Sequence, residues 1–465
     1  MYWYVIQIVS NQYVREQSLL QHIEVDTLTL ITGGRAGEIS SSVEAAIRAG
    51  GLSPGTPLPP VRRLAEHLRV SPTTVAAAYR DLQIRGLVTA AGRRGTRISP
   101  RPPLSSHAPI VVPGKATDLA TGNPDPALLP ELDRVLADLH PDMHLYDEAT
   151  NRPDLLRAAA QGFADDGISP DFMAVVGGAL DGLERVLMAH LRPGDRVAIE
   201  DPCYPAIRDL LLALGLVPDP LPIDAFGFLP DAFEDALRRP LAAIVLVPRA
   251  QNPTGAALDE ARARQLGRLL SHRDDVLLIE DDHAGPVAGT PPFSLAGQGR
   301  SERWAVLRSV SKWLGPDLRL AVMAGDPVTI SRVEGRQQLG AGWVSHVLQK
   351  LVARLWRDRT VHRQVARASE VYAGRRQALI DALAERGIAT QARSGFNVWI
   401  PVPDEQATLR RLLDAGWAGL AGERFRLRTP PAIRISIGRL PVEDAGPLAD
   451  AVLRQDVPRP RTRPA

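Results

Sequence analysis

Cysteine and long apolar runs are nearly absent from this chain of 465 residues. Cys203 is the one cysteine, so no intrachain disulfide can form. No stretch approaches the roughly 18 consecutive apolar residues that a membrane helix needs. The apolar residues 1–10 have no basic stretch before them and no small-residue cleavage site after them, so secretion is not expected. The sequence therefore predicts a cytoplasmic protein with no membrane segment.

Lysine is also scarce, whereas arginine is abundant. Three of the 55 basic residues are lysines: Lys115, Lys312 and Lys350. Any chemistry that requires a side-chain primary amine therefore has three candidate positions. Apolar residues make up 45% of the chain and charged residues 23%, which is typical of a globular protein.

The positive charge is unevenly distributed, although the net charge is only +2. Between Arg35 and Arg101, eleven arginines stand against four acidic residues, a local excess of +7. The rest of the chain is therefore mildly acidic. A small basic module on an acidic body indicates a surface for nucleic acid.

The basic segment shows the order helix, helix–turn–helix and wing. Ser41 and Ser42 are predicted to cap the first helix. Ser71 is predicted to be the N-cap of the third helix, with Pro72 at its first position. Residues 87–98 are predicted to form two short strands around a turn. The predicted buried face of the third helix is Val75, Tyr79 and Leu82.

Beyond a proline-rich linker, strand-like runs alternate with helical runs. This alternation predicts an α/β fold, a mainly parallel sheet with helices on both faces, followed by a smaller α+β lobe. The predicted divisions are an N-terminal extension at 1–34, a winged helix-turn-helix domain at 35–99, a linker at 100–115, a large α/β domain at 116–328, a small C-terminal domain at 329–455 and a disordered tail at 456–465.

Distinctive short motifs follow five predicted strands of the body. They are Gly177-Gly178-Ala179, Asp201-Pro202-Cys203-Tyr204-Pro205, Asn252-Pro253-Thr254-Gly255, Asp281-Asp282-His283 and Ser309-Val310-Ser311-Lys312, with Arg319 seven residues later. Ligands of open α/β sheets bind at the carboxyl ends of the strands. A glycine-rich helix start also suits a phosphate. Each motif alone is a weak signal, but the five in this order predict one ligand site.

In this order the motifs resemble those of the fold-type I pyridoxal-phosphate aminotransferases. With the winged helix and the linker in front, residues 39–455 resemble the MocR subgroup of GntR-type transcriptional regulators. The segment 58–88 is similar to the GntR helices, and EDPCYP, QNPTG and SVSKWLGPDLRL are similar to the cofactor motifs.

The resemblance implies a role for each strand-end residue. Lys312 would form the Schiff base with pyridoxal 5'-phosphate, and Asp281 would hold the pyridine nitrogen. Asn252 would donate to the phenolic oxygen, and Tyr204 would stack on the ring. Arg434 would pair with a substrate or effector carboxylate. The phosphate would be bound by Gly178, Ala179, Leu180, Ser309, Ser311 and Arg319, with Tyr146 reaching it from the other subunit of a homodimer.

Simpler roles stay open for some of these residues. Tyr204 and Tyr146 could serve packing, and Arg434 could be a surface arginine. Asp282 is expected to be structural. His283 stands where the family has tyrosine and would still donate to the phenolic oxygen of the cofactor. The stretch from Tyr146 to Asn151 lacks the family's glycines. These two departures predict cofactor binding with little or no turnover. No metal site is predicted.

The DNA-contact residues are also predicted from the GntR resemblance. The start of the third helix, with Ser71, Thr73 and Thr74, would enter the major groove. Phosphates would be contacted by Arg62 and Arg63, and the minor groove by Arg93 and Arg94 of the wing. The alternative is a solvated arginine-rich face.

The sequence thus predicts a pyridoxal-phosphate-dependent regulator that binds double-stranded operator DNA as a homodimer. Its effector would be a small amino compound or the cofactor itself. A catalytically active aminotransferase with an accessory DNA-binding module is the alternative function. A regulator that has lost the cofactor is a third possibility.

Overall fold

The computed structural model of the chain divides into two compact units, residues 1–104 and 105–465. It describes residues 27–49, 51–84, 86–90, 95–99, 110, 112–140, 142–296, 302–390 and 392–453. Within these ranges no helix is long and apolar enough to span a membrane.

The first unit is a small helical domain with a two-stranded wing. Its elements are α1 (Ala36–Arg48), α2 (Val61–Leu68), α3 (Pro72–Ile84), β1 (Val88–Ala90) and β2 (Thr96–Ile98). The strands pair antiparallel with Val88 opposite Ile98, as the wing pattern predicts. The predicted face of α3 is confirmed, since Val75, Tyr79 and Leu82 are buried. The Tyr79 hydroxyl also donates to the Pro59 carbonyl at 2.8 Å.

The two predicted helix starts in this unit have different outcomes. Ser71 does cap α3, because its Oγ accepts from the Thr74 amide at 3.1 Å. The predicted cap at Ser41 and Ser42 is wrong, since α1 already begins at Ala36. Ser42 instead donates back to the Ile39 carbonyl at 2.9 Å inside the helix, a bond that serine readily makes there.

The second unit contains an eight-stranded sheet in the order β4-β11-β10-β9-β8-β5-β6-β7. Its strands are β4 (Met173–Val176), β5 (Arg196–Asp201), β6 (Val217–Asp224), β7 (Gly227–Phe228), β8 (Ala243–Leu246), β9 (Leu277–Asp282), β10 (Trp304–Ser309) and β11 (Ala321–Gly325). The pairs from β10 through β9, β8 and β5 to β6 are parallel. The mainly parallel sheet is confirmed, while β11 runs antiparallel to both of its neighbours.

Helices cover both faces of this sheet. Along β5, Val197 and Ile199 belong to one apolar cluster and Ala198 to the other, as the alternation of side chains along a strand requires. The body helices are α4 (Asp133–Ala137), α5 (Pro153–Asp165), α6 (Ala179–His190), α7 (Pro205–Ala213), α8 (Pro230–Leu237), α9 (Glu260–Leu270), α10 (Pro327–Gln338), α11 (His346–Arg357) and α12 (Arg359–Ala384).

The C-terminal lobe is built on a three-stranded antiparallel sheet. Its remaining elements are β12 (Asn397–Pro401), α13 (Glu405–Asp414), β13 (Trp417–Ala418), β14 (Leu420–Ala421), β15 (Ala432–Ser436) and α14 (Ala445–Leu453). β15 lies between β12 and β14. A short strand near the start of the unit, β3 (Thr117–Asp118), pairs with β13 and so joins this lobe. This pairing brings the segment after β3 next to β15.

Candidate functional site

The predicted ligand residues of the body lie at one edge of the large sheet. β5, β8, β9 and β10 are parallel, so their carboxyl ends meet at the same edge. Tyr204, Asn252, His283 and Lys312 each follow one of these ends in the chain. We call this group, with Asp281, Arg319, Gly178 and Arg434, the strand-end site.

Lys312 carries the amine of the strand-end site. Its Nζ donates to the Gly122 carbonyl at 2.7 Å. Burial lowers the pKa of Lys312 to about 8, and the positive charge of Arg434 acts in the same direction. A lysine with this pKa is roughly one-tenth neutral near pH 7, and the neutral amine is the form that attacks carbonyl carbons.

Asp281 is the carboxylate that the sequence assigns to a pyridine nitrogen. Burial raises its pKa to about 7, and the neighbouring Asp282 adds to the effect. Among the described residues, its Oδ1 is buried with no hydrogen-bond partner. An orphaned buried oxygen is costly, and a protonated ring nitrogen is a group that would satisfy it. The orphaned oxygen of Asp281 therefore shows that the site fits a pyridinium ring.

Arg434 lies buried on β15, within the strand-end site. One Nη donates to Asn252 Oδ1 at 3.1 Å, and the other donates to the Ala120 carbonyl. Its guanidinium also lies over the Phe425 ring, 4.9 Å from the centroid. Burial lowers its pKa to about 10. Neutral oxygens hold this arginine, so an incoming carboxylate would be the stronger partner.

The start of α6 and Arg319 form a cradle suited to a phosphate. Gly178 caps α6 with φ +112°, and a side chain there would meet Arg319 Nη2 at 3.3 Å. α6 then begins at Ala179, followed by Leu180, where the first amides of a helix lack intrahelical partners. Ser309 is the last residue of β10 and Ser311 follows it, with their hydroxyls 3.2 Å apart.

Tyr204 and His283 are the other predicted ring contacts. Tyr204 is the N-cap residue of α7, and its ring is 37% exposed. Burial raises the pKa of Tyr204, and the charges of Arg434 and Asp281 also act on its hydroxyl. Tyr204 therefore lies close to these two residues of the strand-end site. Burial lowers the pKa of His283 to about 4, and Lys312 adds to that effect. His283 is therefore neutral near pH 7.

The structure does not bring Tyr146 into the strand-end site. Its side chain is 90% exposed, and its ring packs edge-on against Trp343 at 5.7 Å. The prediction that it serves a second subunit stays a prediction.

A buried ion network beneath the site was missed by sequence reasoning. Arg249 holds both oxygens of Asp282 at 2.9 and 2.7 Å, and Arg308 contacts one of them at 3.2 Å. Arg308 also pairs with Asp166 at 2.6 Å. These cations hold the pKa of Asp282 well below its usual range, so it stays ionised. The available signal was an arginine that follows the apolar run of β10, and the general abundance of arginine hid it.

Gly122 and Ala120 were also missed, because they contribute backbone oxygens. A side chain at Gly122, which has φ +69°, would meet Arg434 Nη2 at 3.4 Å. Glycine therefore allows Lys312 and Arg434 to approach the same turn. The Thr-Gly-Asn-Pro run at 121–124 could have indicated this turn.

In the first unit, Ser71, Thr73 and Thr74 lie at the start of α3, whereas Arg62 and Arg63 lie at the start of α2. Arg62, Arg63, Ser71 and Thr73 are exposed, and Thr74 is half-buried. Ser71 Oγ lies 2.7 Å from the Thr73 hydroxyl and 2.8 Å from that of Thr74. Arg93 and Arg94 lie outside the described residues.

Two family models match the chain in the order of its two units. Residues 35–98 match the bacterial regulatory proteins of the gntR family, and residues 115–452 match aminotransferase class I and II.

Curated transcriptional regulators are similar to this chain over half to nearly all of their length. The vitamin B6 salvage pathway transcriptional repressor PtsJ of Salmonella typhimurium is 39% identical over 427 residues, covering 90% of this chain and 98% of that protein. The probable rhizopine catabolism regulatory protein MocR of Rhizobium meliloti is 26% identical and covers 80% of each chain. The pyridoxine biosynthesis regulator PdxR of Corynebacterium glutamicum is 30% identical, covering 53% of this chain and 55% of its own.

Among solved structures, the kynurenine aminotransferase of Pyrococcus horikoshii matches with a TM-score of 0.66 at 23% identity, covering 73% of this chain and 90% of its own. This likeness shows that the body has the aminotransferase fold. With the two family matches and the PtsJ relationship, it follows that the chain belongs to the MocR-type GntR regulators, in which a GntR DNA-binding domain precedes an aminotransferase class I and II body.

Proposed function

We propose that this protein represses or activates transcription in response to pyridoxal phosphate bound at the strand-end site. The observation that carries the proposal is the buried oxygen of Asp281, which has no hydrogen-bond partner in the described part of the chain and lies in the same site as the low-pKa amine of Lys312. The DNA-binding half rests on the GntR match and on the exposed Arg62 and Arg63 at the start of α2.

Each part of the cofactor would have its own holder. Lys312 would bind the aldehyde carbon, Asp281 the ring nitrogen, and Asn252 with His283 the phenolic oxygen. Gly178, Ala179, Leu180, Arg319, Ser309 and Ser311 would hold the phosphate. When bound, pyridoxal phosphate condenses with amines and withdraws electrons from them. The neutral fraction of Lys312 favours attachment, and Arg434 offers a guanidinium to any carboxylate that enters.

We propose the cofactor itself, rather than a separate amino compound, as the effector. PtsJ and PdxR are both named for vitamin B6 metabolism, and the match to PtsJ covers 90% of the chain. A cofactor acts as an effector only if its affinity differs between the DNA-binding and the free conformations. An amino compound that changes DNA affinity while the cofactor alone does not would contradict this choice.

Little or no aminotransferase turnover is proposed. Transamination needs a proton moved between two carbon atoms by an accurately placed base, which here would be Lys312. His283 replaces the family's tyrosine beside that amine, and the stretch after Tyr146 lacks the family's glycines. Screening amino donors with an oxo-acid acceptor tests this, since turnover on the order of 1–1000 per second would favour the enzyme instead.

The protein would act as a cytoplasmic homodimer on double-stranded operator DNA, with Tyr146 serving the partner's site. The N-terminal turn of α3 would enter the major groove, and Arg62 and Arg63 would bind phosphates. Sedimentation of the purified protein tests the dimer directly. A monomer that binds its operator with full affinity would contradict it.

Borohydride reduction of cofactor-loaded protein tests the cofactor half. We expect the reduced cofactor on the peptide that carries Lys312 and the visible absorbance band to be lost in Lys312→Ala. Lys350→Ala is the matched control, because the Lys350 amine is not part of the strand-end site and instead pairs with Asp142 at 2.9 Å. A band that survives in Lys312→Ala, or a cofactor found on Lys350, would overturn the assignment.

A further inference from the structure

A cavity of the body lies beside the strand-end site, and none of the residues that define that site lines it. It has a volume of about 570 Å³, and its walls come from the end of β6, from β12 and from the loop before β15. Cavities of roughly 300–1,000 Å³ are the size that small-molecule ligands occupy. We call it the β6–β12 cleft. Its lining includes Pro220, Pro222, Ile223, Trp399, Pro401 and Pro430.

The walls of the β6–β12 cleft are mostly apolar, but its charged group that is not in an ion pair within the described ranges is a cation. Both of its carboxylates are already satisfied. Asp201 accepts from the backbone amides of residues 427–429 at 2.7 to 3.1 Å. Asp224 is held by Arg262 at 3.0 and 2.8 Å. A ligand cation would therefore have to compete for these acids.

Arg428 supplies the positive charge of the cleft. It is exposed, and its guanidinium makes a long 3.5 Å contact to the Pro220 carbonyl. No carboxylate pairs with it among the described residues. A guanidinium beside apolar walls suits a ligand that carries a carboxylate or phosphate on a flat apolar body.

The cleft is connected to the strand-end site by a short chain of contacts. The ring of Trp399 meets that of Phe425 edge-on at 6.1 Å, and Arg434 lies over the Phe425 ring at 4.9 Å. Arg434 in turn bonds Asn252. Asp201 provides a second connection, because it accepts a hydrogen bond from the Leu427 amide of the C-terminal lobe and precedes Tyr204 by three residues. These contacts join the lining of the cleft to the groups of the strand-end site.

We propose that the β6–β12 cleft is a second ligand site, which takes a small anionic molecule with a flat apolar body and is coupled to the strand-end site. This site does not depend on the proposed cofactor or DNA chemistry. The ligand would lie between the β6 prolines and Trp399, with its anionic group on Arg428. Closing the two walls on it would change the setting of Arg434 and Tyr204.

Calorimetric titration with 1-naphthoate tests the site, with neutral 1-naphthalenemethanol as the matched probe. We expect naphthoate to bind wild type and to bind Arg428→Gln about tenfold more weakly. Arg428→Gln keeps the backbone amide that Asp201 holds, so the lobe contact stays intact. Arg410→Gln, an exposed arginine of α13 outside the cleft, should bind as wild type does.

Two further variants separate this cleft from the strand-end site. Ala389→Trp, which fills the cleft from its exposed rim, should abolish naphthoate binding. Lys312→Ala should leave it unchanged. Naphthoate binding that is lost in Lys312→Ala, or that is equal in Arg428→Gln and wild type, would overturn the proposal. No heat of binding with wild type at millimolar naphthoate would do the same.

Discussion

The two units use the same residue, arginine, in opposite ways. Arg62 and Arg63 of the first unit are exposed and can follow a phosphate backbone. Arg249 and Arg308 of the body are buried and hold Asp282. A surface arginine can change with little cost to folding, whereas a buried one is part of a network whose disruption leaves a charge without a partner. Mutating the exposed arginines of the first unit should therefore weaken DNA binding, whereas breaking the buried arginine network of the body should lower its stability.

The largest expected effect concerns Asp281 in the cofactor-free protein. Its folded pKa of about 7 lies above its ordinary value of 3.8. The folded state thus holds the Asp281 proton more tightly than the unfolded state does. Proton binding at Asp281 therefore contributes fully to the free energy of unfolding below about pH 4, and this contribution is lost as the pH rises through about 7. As the pH rises from about 4 to above 7, the free energy of unfolding of Asp281→Asn should therefore rise relative to that of wild type, by up to about 4 kcal/mol.

Urea unfolding at each pH measures this difference, with tryptophan fluorescence as the probe of the body. Saturating pyridoxal phosphate should reverse the ranking, because wild type alone keeps the carboxylate for the ring nitrogen. A difference between the two proteins that does not change with pH would show that Asp281 is not held in a dry site.

Asp282→Asn should be the next largest change. It would leave Arg249 and Arg308 buried with one carboxylate fewer, which we expect to lower the free energy of unfolding by about 3 kcal/mol. Arg62→Gln in the first unit is the control and should change stability by less than about 0.5 kcal/mol. Equal unfolding midpoints for Asp282→Asn and wild type would contradict the contrast between the two units.

Much of the body was predictable, because strand-end positions follow from sequence order. Five short motifs placed Lys312, Asp281 and Asn252 at one sheet edge without any coordinates. Arg434 could be placed only by resemblance, since it comes from a distant strand of the other lobe. The acceptor of Lys312 is a backbone oxygen of Gly122, which leaves no side-chain signature. The Arg249–Asp282–Arg308 network escaped prediction because no residue pattern shows which of 52 arginines are buried.

In the first unit, helix periodicity succeeded and capping partly failed. The predicted face of α3 and its cap at Ser71 are confirmed. The cap of α1 is wrong because serine can also bond backward inside a helix, as Ser42 does. Residue type alone does not distinguish these two bonds.

A smaller effect separates Ser71, which caps α3, from Ser41, which lies inside α1. Ser71→Ala removes a cap and should lower the local stability of α3 by about 1 kcal/mol. Ser41→Ala, inside α1, should have no comparable effect. Hydrogen exchange of the Thr74 amide in the intact protein reports the first change. Equal exchange rates in both variants would mean that the Ser71 bond is not a working cap.

The smallest expected effect is electrostatic. Arg62→Gln should weaken binding to all duplex sequences and reduce the slope of log affinity against log salt by about 1. Arg264→Gln, an exposed arginine of α9, should leave the slope unchanged. Titrations at several salt concentrations decide this, and an unchanged slope for Arg62→Gln would remove it from the DNA-contact surface.

The most direct test is the affinity of the full chain for its own upstream DNA, measured with and without pyridoxal phosphate. We predict that the cofactor changes the affinity of wild type by about fivefold or more, which is the range of ordinary allosteric coupling. Lys312→Ala should show the same affinity in both conditions. If wild type binds its upstream DNA equally with and without the cofactor, or prefers it no more than random duplex, the protein is not a cofactor-responsive regulator.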